Sequence, residues 1–494
     1  MIQLSKSDYM LFLRHPAWLW LKKHDKTMLP SVDAATQAMF DAGNDFEPYA
    51  ESLFPGGVTL GFGTYAEYLS LTARTQQALD AGATTIFQGR FEYGQLTFIC
   101  DIIIIVGDRE VDLYEIKSST SAKPEHELDL AFQMVVLEGC GFTVRNIAVI
   151  HVNNQFVRHG TISASDLTTT TDVTKAVKAK RKSTLENIEL ALKAVGSATI
   201  PDISPSHARL KSLSDWLVIY RGLTPVEPDS IYDLVAVGAQ RIGELEAMGV
   251  TRLIDIPSDF ELTDKQRLQV KATKQNKVLL QKGKIKAFLD SLTYPLYFLD
   301  YETMMSLVPY FDGLKPYQQL PFQYSLHILD APGAELRHVE YLHRDNTSPA
   351  EPLSKALKSH IGETGSIITW NMSFESHCNT LLGSLVPAYR EFYANLNARI
   401  VDLMVPFASD WYVDKDFHGS ASIKNVLPVL VPQLSYKTLG IQEGTAAQRL
   451  WMAAVLDGTR DADKEQILSD LVEYCGLDTL AMVEIYRVLL SQHT

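Results

Sequence analysis

An aspartate inside an apolar strand constrains this chain more than any other feature. Ile99-Cys-Asp101-Ile-Ile-Ile-Ile-Val106 is rich in branched residues and reads as a β-strand, yet Asp101 interrupts it. Burying an unpaired carboxylate costs several kcal/mol, so Asp101 needs a partner or a metal. The next strand, Leu113-Tyr-Glu115-Ile-Lys117, sets Glu115 and Lys117 on one face, because residues i and i+2 point the same way. If the two strands pair, two carboxylates and an ammonium group meet. That is either a cross-strand salt bridge or a Mg²⁺ site with a lysine that orients water. A second strand, Tyr297-Phe-Leu-Asp300-Tyr-Glu302-Thr303, ends in two acids on one face, which repel unless a cation sits between them.

Charge and cysteine content narrow the function classes. The 494 residues carry 45 Lys+Arg against 59 Asp+Glu, a net charge of −14. This argues against a protein that coats nucleic acid or an anionic membrane over its whole surface, and leaves room for a local basic groove. Cys100, Cys140, Cys378 and Cys475 form no CxxC pair. The N-terminal residues lack a signal pattern, and no apolar run approaches the ~20 residues that span a bilayer. The expectation is a cytoplasmic chain with reduced thiols and no membrane partner.

Three regions differ in texture. The first, residues 1–200, opens with an aromatic stretch from Tyr9 to Leu21. Strands are expected at Ile86–Tyr93, Leu96–Val106 and Val111–Lys117, then a helix at Glu127–Leu137 and a strand at Val144–Val152. The second, 201–292, reads as a helical connector. Its Lys265–Lys286 stretch is basic and free of acids, and Arg267, Lys271 and Lys274 share a helical face. It is either a DNA-backbone contact or a solvated linker. The third, 293–494, reads as three strands (Leu296–Tyr301, Phe322–Leu329, Leu336–His343), a helix near Pro352–His360, a strand at Ser366–Trp370, then helices ending in Lys464–Leu490. The fold class is α/β, and the third region has the order of an RNase-H-like fold.

The first region resembles the RecB-like nucleases of the PD-(D/E)XK superfamily through Gly43/Glu47, Asp101, Glu115-Ile-Lys117 and Gln133, in that order. The resemblance implies a metal-dependent DNA nuclease domain that binds one or two metal ions. Glu47, Asp101 and Glu115 would be ligands, with Lys117 and Gln133 catalytic. Many relatives carry a four-cysteine iron–sulfur cluster. Here His15 and His207 stand near the cysteine positions, so no cluster is expected.

The third region resembles the DEDD 3′–5′ exonucleases of the tyrosine subclass. Asp300 and Glu302 match their first motif, Glu375 the second, and Tyr474 with Asp478 the third. Glu375 departs from the usual Asp, and Asp402 is an alternative ligand. The resemblance implies a site for two Mg²⁺ or Mn²⁺ ions, with Tyr474 placing the attacking water. Lys424 is either a phosphate contact or a solvated lysine. This region also resembles a bacterial domain family of unknown function that is often fused behind a RecB-like nuclease domain.

The expected function is thus hydrolysis of nucleic acid, DNA favoured over RNA, at two metal-dependent sites. A rival is a nucleic-acid-binding adaptor with one or both sites degenerate. A second rival is an oxidoreductase built on Gly61-Phe-Gly63-Thr-Tyr-Ala66, which looks like a dinucleotide-binding turn. Ile242–Leu253 resembles half of a helix-hairpin-helix unit.

Overall fold

The computed structural model describes residues 2–492. It is a mixed α/β structure with several sheets, and none of its described helices is long and apolar enough to cross a membrane. The chain forms two compact units that interleave along the sequence. The first is Met1–Val226, Gly238–Met248 and Ser306–Tyr317, and the second is Glu227–Val237, Gly249–Met305 and Gln318–Thr494. Residues 201–292, expected as one connector, are therefore shared between the units.

The first unit contains strands β1 (Leu4–Ser5), β2 (Val58–Thr59), β3 (Thr85–Phe87), β4 (Arg90–Tyr93), β5 (Leu96–Ile99), β6 (Ile102–Gly107), β7 (Glu110–Lys117), β8 (Thr143–Val152) and β9 (Thr168–Asp172). They build a six-stranded sheet in the order β2-β3-β6-β7-β8-β9 and a three-stranded sheet in the order β1-β5-β4. The expected strands Ile86–Tyr93 and Leu96–Val106 are each broken in the middle, and their halves enter different sheets. The breaks face each other: the Gln88 N–H donates to the Asp101 carbonyl at 3.1 Å, and the Cys100 N–H donates to the Gly89 carbonyl at 2.8 Å. Gln88 is left-handed there, with φ 56°. A Cβ on Gly89 would lie 3.0 Å from Ile86 Cγ2, so a side chain would crowd the crossing. At the break the Asp101 carboxylate accepts the Ile116 N–H at 2.7 Å, so a side chain replaces the ladder carbonyl. That explains how an acid is tolerated within an apolar run.

Parallel strands β7 and β8 are joined by the helix Pro124–Gly139, which is buried along most of its length. Its Phe132 stacks on Tyr9 at 5.0 Å between ring centres. The Tyr9–Leu21 stretch lies in two helices, Lys6–Arg14 and Pro16–His24, parted at an extended His15. Pro16 imposes this, since a residue before proline is disfavoured in the helical region. The distant segment Ser306–Tyr317 completes this unit. Leu307 packs with Phe87, Ile116 and Val152, and Arg158 donates to the carbonyls of Pro309 and Tyr310 at 2.6 and 2.7 Å.

The second unit contains β10 (Leu279–Leu280), β11 (Leu296–Met304), β12 (Leu320–Leu329), β13 (Arg337–Leu342), β14 (Ser366–Thr369), β15 (Ile400–Asp402) and β16 (Tyr412–Val413). Its main sheet has the order β13-β12-β11-β14-β15. Strands β11, β12 and β13 are antiparallel, and β14 and β15 run parallel to β11. The expected strands are all present. Strand β15 is not anticipated from the sequence because three residues are too few to show alternation. Helix Ala350–His360 precedes β14, helix Met372–Leu385 follows it, and the 28-residue helix Lys464–Ser491 ends the unit.

Candidate metal centres

In the first unit Glu115 is the hub of a buried polar net. It is 1% exposed. Its Oε1 accepts from Lys117 at 2.6 Å and from Lys6 at 2.8 Å, and its Oε2 accepts from the Gln133 amide at 2.6 Å. Asp129, one turn before Gln133, accepts from Lys117 at 3.2 Å and from Gln133 at 3.1 Å, with Lys6 3.8 Å away. Burial pushes the Glu115 carboxyl upward, but Lys117 and Lys6 outweigh it and hold the group well below the usual carboxylate range. Asp101 goes the other way, to about 7, through burial and the Glu115 charge. Half-buried Glu47, on helix Ala34–Glu51, is raised by burial and then by Glu115.

Asp101, Glu115, Lys117 and Gln133 thus gather as the sequence leads one to expect, and Glu47 lies within their electrostatic reach. Lys6 and Asp129 are additions. Asp129 left a trace, since it precedes Gln133 by four residues and shares its helical face. Lys6 left none: it is brought in by the pairing of β1 with β5 and by the Ser5–Asp8 capping box. Both the salt bridge and the convergence of carboxylates are present. Lys117, Lys6 and Gln133 leave Glu115 one lone-pair site, on Oε2, for a divalent cation.

The second cluster is built differently. Asp300 and Glu302 come from β11, and Tyr474 and Asp478 from the Lys464–Ser491 helix. All four line one cavity of about 350 Å³, with Lys424 at its wall. Burial pushes Asp478 up to about 6. Burial and the Asp478 charge raise Asp300 well above the carboxylate range, and burial with Asp300 and Asp478 does the same to Glu302. Three buried acids on one cavity, with Asp478 raising the other two, need a cation before all can ionise. The Tyr436 hydroxyl donates to Asp478 Oδ1 at 2.6 Å. Lys424 donates to the Gln442 carbonyl at 2.8 Å and lies 5.8 and 5.9 Å from the ring centres of Tyr436 and Tyr474.

Glu375 stands at the start of helix Met372–Leu385 and is 1% exposed. Its Oε2 has no hydrogen-bond partner among the described residues. Burial and the Asp300 charge raise its pKa well above normal. Asp402, the alternative ligand, is engaged elsewhere. It accepts from the N–H groups of Asn371 (3.2 Å), Met372 (3.1 Å) and Met404 (2.9 Å), and so caps the helix that carries Glu375. Cys475 is a further member. Its Sγ is 3.9 Å from Asp300 Oδ2, and donor atoms of Asp300, Glu302 and Cys475 all lie within 4.8 Å of one another. Among the described residues, this is the group of three or more metal-ligating side chains that meets so closely. Its signal was in the sequence, since Leu471, Tyr474, Cys475 and Asp478 follow helical spacing. Tyr436 had no such signal.

The remaining candidates have local roles. Arg267, Lys271 and Lys274 share helix Asp264–Gln275 and border a cavity of about 370 Å³. Arg267 donates to the Leu262 carbonyl and pairs with Asp264, Lys274 donates to the Ile256 carbonyl at 2.6 Å, and Lys271 is exposed. The helix-hairpin-helix-like stretch is split, with helix Ala239–Ala247 in the first unit and the chain from Gly249 in the second. At Gly61–Ala66 the N–H groups of Gly63 and Thr64 donate to Glu67 at 2.6 and 3.0 Å, so the turn caps a helix, and β2 before it is two exposed residues. His15 stacks on Trp216 at 3.7 Å, and both its ring nitrogens are engaged, with the Ala17 N–H and the Ser204 carbonyl. His207 contacts Asp202 at 3.2 Å.

Comparison with known proteins gives similarity without a described activity. Residues 297–422 match a domain of unknown function, DUF2779. That span holds Asp300, Glu302, Glu375 and Asp402. The chain is 26% identical over 220 residues to an uncharacterised protein of Mycoplasma pneumoniae, and 24% identical over 225 residues to one of Mycoplasma genitalium. Each match covers 41% of this chain and 33% of the relative, so the chain spans about a third of the length of these relatives.

Proposed function

We propose that this chain is a metal-dependent nuclease whose principal site is the Asp300–Glu302–Asp478 cavity, acting as a 3′–5′ exonuclease on DNA. One observation carries the reading: three carboxyl groups from a strand end and a helix face one cavity, with a tyrosine beside them, and their mutual repulsion calls for divalent cations. The sheet order β13-β12-β11-β14-β15 supports an RNase-H-like fold for this unit. Mg²⁺ or Mn²⁺, held by Asp300, Glu302, Asp478 and Glu375, would lower the pKa of the attacking water and steady the leaving oxygen. The Tyr474 hydroxyl orients that water, Tyr436 fixes Asp478, and Lys424 contacts phosphate at the wall. Trp370 and Phe374 give the cavity an apolar side against which a terminal nucleotide rests.

The first unit is read as a PD-(D/E)XK domain, supported by Asp101 at the break between β5 and β6, Glu115 and Lys117 on β7, and Gln133 on the following helix. Lys6 favours a second reading for this site alone. An ammonium already neutralises Glu115, which suits a degenerate, nucleic-acid-binding role. The test is cleavage of end-labelled single-stranded DNA, double-stranded DNA and RNA with Mn²⁺. Asp300→Ala with Glu302→Ala should lower stepwise 3′ removal by orders of magnitude with the fold retained. Glu115→Ala with Lys117→Ala should leave it intact. No Mn²⁺-dependent cleavage by the wild-type chain on any substrate would sink the enzyme reading.

A further inference from the structure

The second cluster mixes two kinds of metal donor. Mg²⁺ takes oxygen ligands almost exclusively, whereas thiolate favours Zn²⁺ and its heavier relatives. Asp300 and Glu302 supply oxygen and Cys475 supplies sulfur, with all three donor atoms within 4.8 Å of one another. A tetrahedral zinc centre, with Zn–S ~2.3 Å and Zn–O ~2.0–2.2 Å, sets neighbouring donors roughly 3.5 Å apart. The Asp300 Oδ2 to Cys475 Sγ separation of 3.9 Å is close to that edge, so small side-chain rotations close the site. Outside the group that meets within 4.8 Å, Glu375 Oε2 is buried and has no hydrogen-bond partner among the described residues, and its carboxyl feels the Asp300 charge.

We propose that Asp300, Glu302 and Cys475 form a three-ligand site for a thiophilic divalent cation of the Zn²⁺ type, with the fourth position left to solvent. On binding, the Cys475 thiol and the protonated carboxyl groups of Asp300 and Glu302 give their protons to solvent, and their sulfur and oxygens go to the metal. Asp300 and Glu302 are then committed to this cation together with Cys475. Zn²⁺ at this site therefore blocks the chemistry that Mg²⁺ or Mn²⁺ supports. Zinc binding stands without the nuclease reading, and only the inhibition rests on it.

The probe is Cd²⁺, followed through its thiolate charge-transfer band in the full-length chain carrying Cys140→Ser, which removes the half-buried thiol outside the cluster. The band should saturate at about one equivalent and be displaced by Zn²⁺. Adding Cys475→Ser should abolish the band and weaken Zn²⁺ binding about tenfold or more, while Mn²⁺ affinity changes less than about threefold. Asp300→Asn with Glu302→Gln, with Cys475 intact, should also lose the band. A band unchanged in either variant overturns the proposal. If the serine variant fails to fold by circular dichroism, Cys475→Ala and the carboxylate variant decide the matter by the same criterion. A normal band without any nuclease activity would sink the nuclease reading alone. Mn²⁺-dependent cleavage indifferent to Zn²⁺, with no band, would sink this inference alone.

Discussion

Each unit buries a group of acids, and each neutralises them differently. In the first, both oxygens of Glu115 are occupied by Lys117, Lys6 and Gln133, so the net balances its own charge. In the second, Asp300, Glu302 and Asp478 face one cavity, and Lys424 at its wall, which donates to the Gln442 carbonyl, lowers Glu302 and Asp478 without offsetting their burial. Glu115 is held ionised in one place, whereas Asp300, Glu302 and Asp478 are pushed toward protonation in the other. Carboxylates near one another therefore do not define a metal centre on their own. What matters is whether the chain has already supplied the counter-charge.

The contrast can be broken most forcefully at Lys6. Lys6→Met leaves Glu115 and Asp129 short of one ammonium and should cost about 3 kcal/mol, read by urea or thermal unfolding. An unchanged stability would mean that Lys117 alone balances the net. In the second unit the charge that matters comes from outside. Mn²⁺ at about 100 times its Kd should stabilise the chain by about 2.7 kcal/mol. That gain should vanish with Asp300→Asn and Glu302→Gln and survive Glu115→Gln.

Acidity sharpens the comparison, because Glu115 and Asp478 move in opposite directions. The folded pKa of Asp478 is raised, from 3.8 to about 6. Without metal, the folded state holds a proton across that window that the unfolded state has lost, so stability falls as pH rises through it. Asp478→Asn should shallow that slope, with Asp101 and the other raised acids keeping the remainder. Glu115 is depressed below 4.5, so its contribution is present above that pH and is lost as pH falls further. Glu115→Gln should flatten the acid limb. Thermal unfolding in chelator from pH 3 to 7 checks both, and a common slope in the two variants would erase the distinction. The smallest effect is expected at the exposed Lys271. Lys271→Glu should shallow the salt dependence of DNA binding by about one unit of log–log slope, if the helix contacts the backbone. Arg267 and Lys274 are poorer probes because they tie down their own segment.

Much of this arrangement was legible in the amino-acid sequence. Alternation around Asp300 and Glu302 gave their strand and shared face, and helical spacing joined Tyr474 to Asp478. Asp101 announced itself because an acid in an apolar run needs a reason. The part that stayed hidden depends on contacts distant in sequence. Lys6 meets Glu115 across 109 residues, and Tyr436 meets Asp478 across 42. Neither has a local periodicity to betray it. The broken strands were missed for a related reason. Leu96–Ile99 and Ile102–Gly107 are both apolar and extended, and composition cannot tell that they belong to different sheets.

The interleaving of the two units reaches into how the protein is made. Leu307 covers Phe87, Ile116 and Val152, yet it lies beyond β11 in the chain. A ribosome must therefore synthesise the strand bearing Asp300 and Glu302 before the first unit can close its core. At about 5–20 residues per second that leaves an incomplete apolar surface exposed for several seconds after its own strands have emerged. Fragments ending near residue 200 or 292 would stay in that condition permanently. Limited solubility of such truncations, relieved by supplying residues 306–317, would be the signature of this late-arriving lid on an early core.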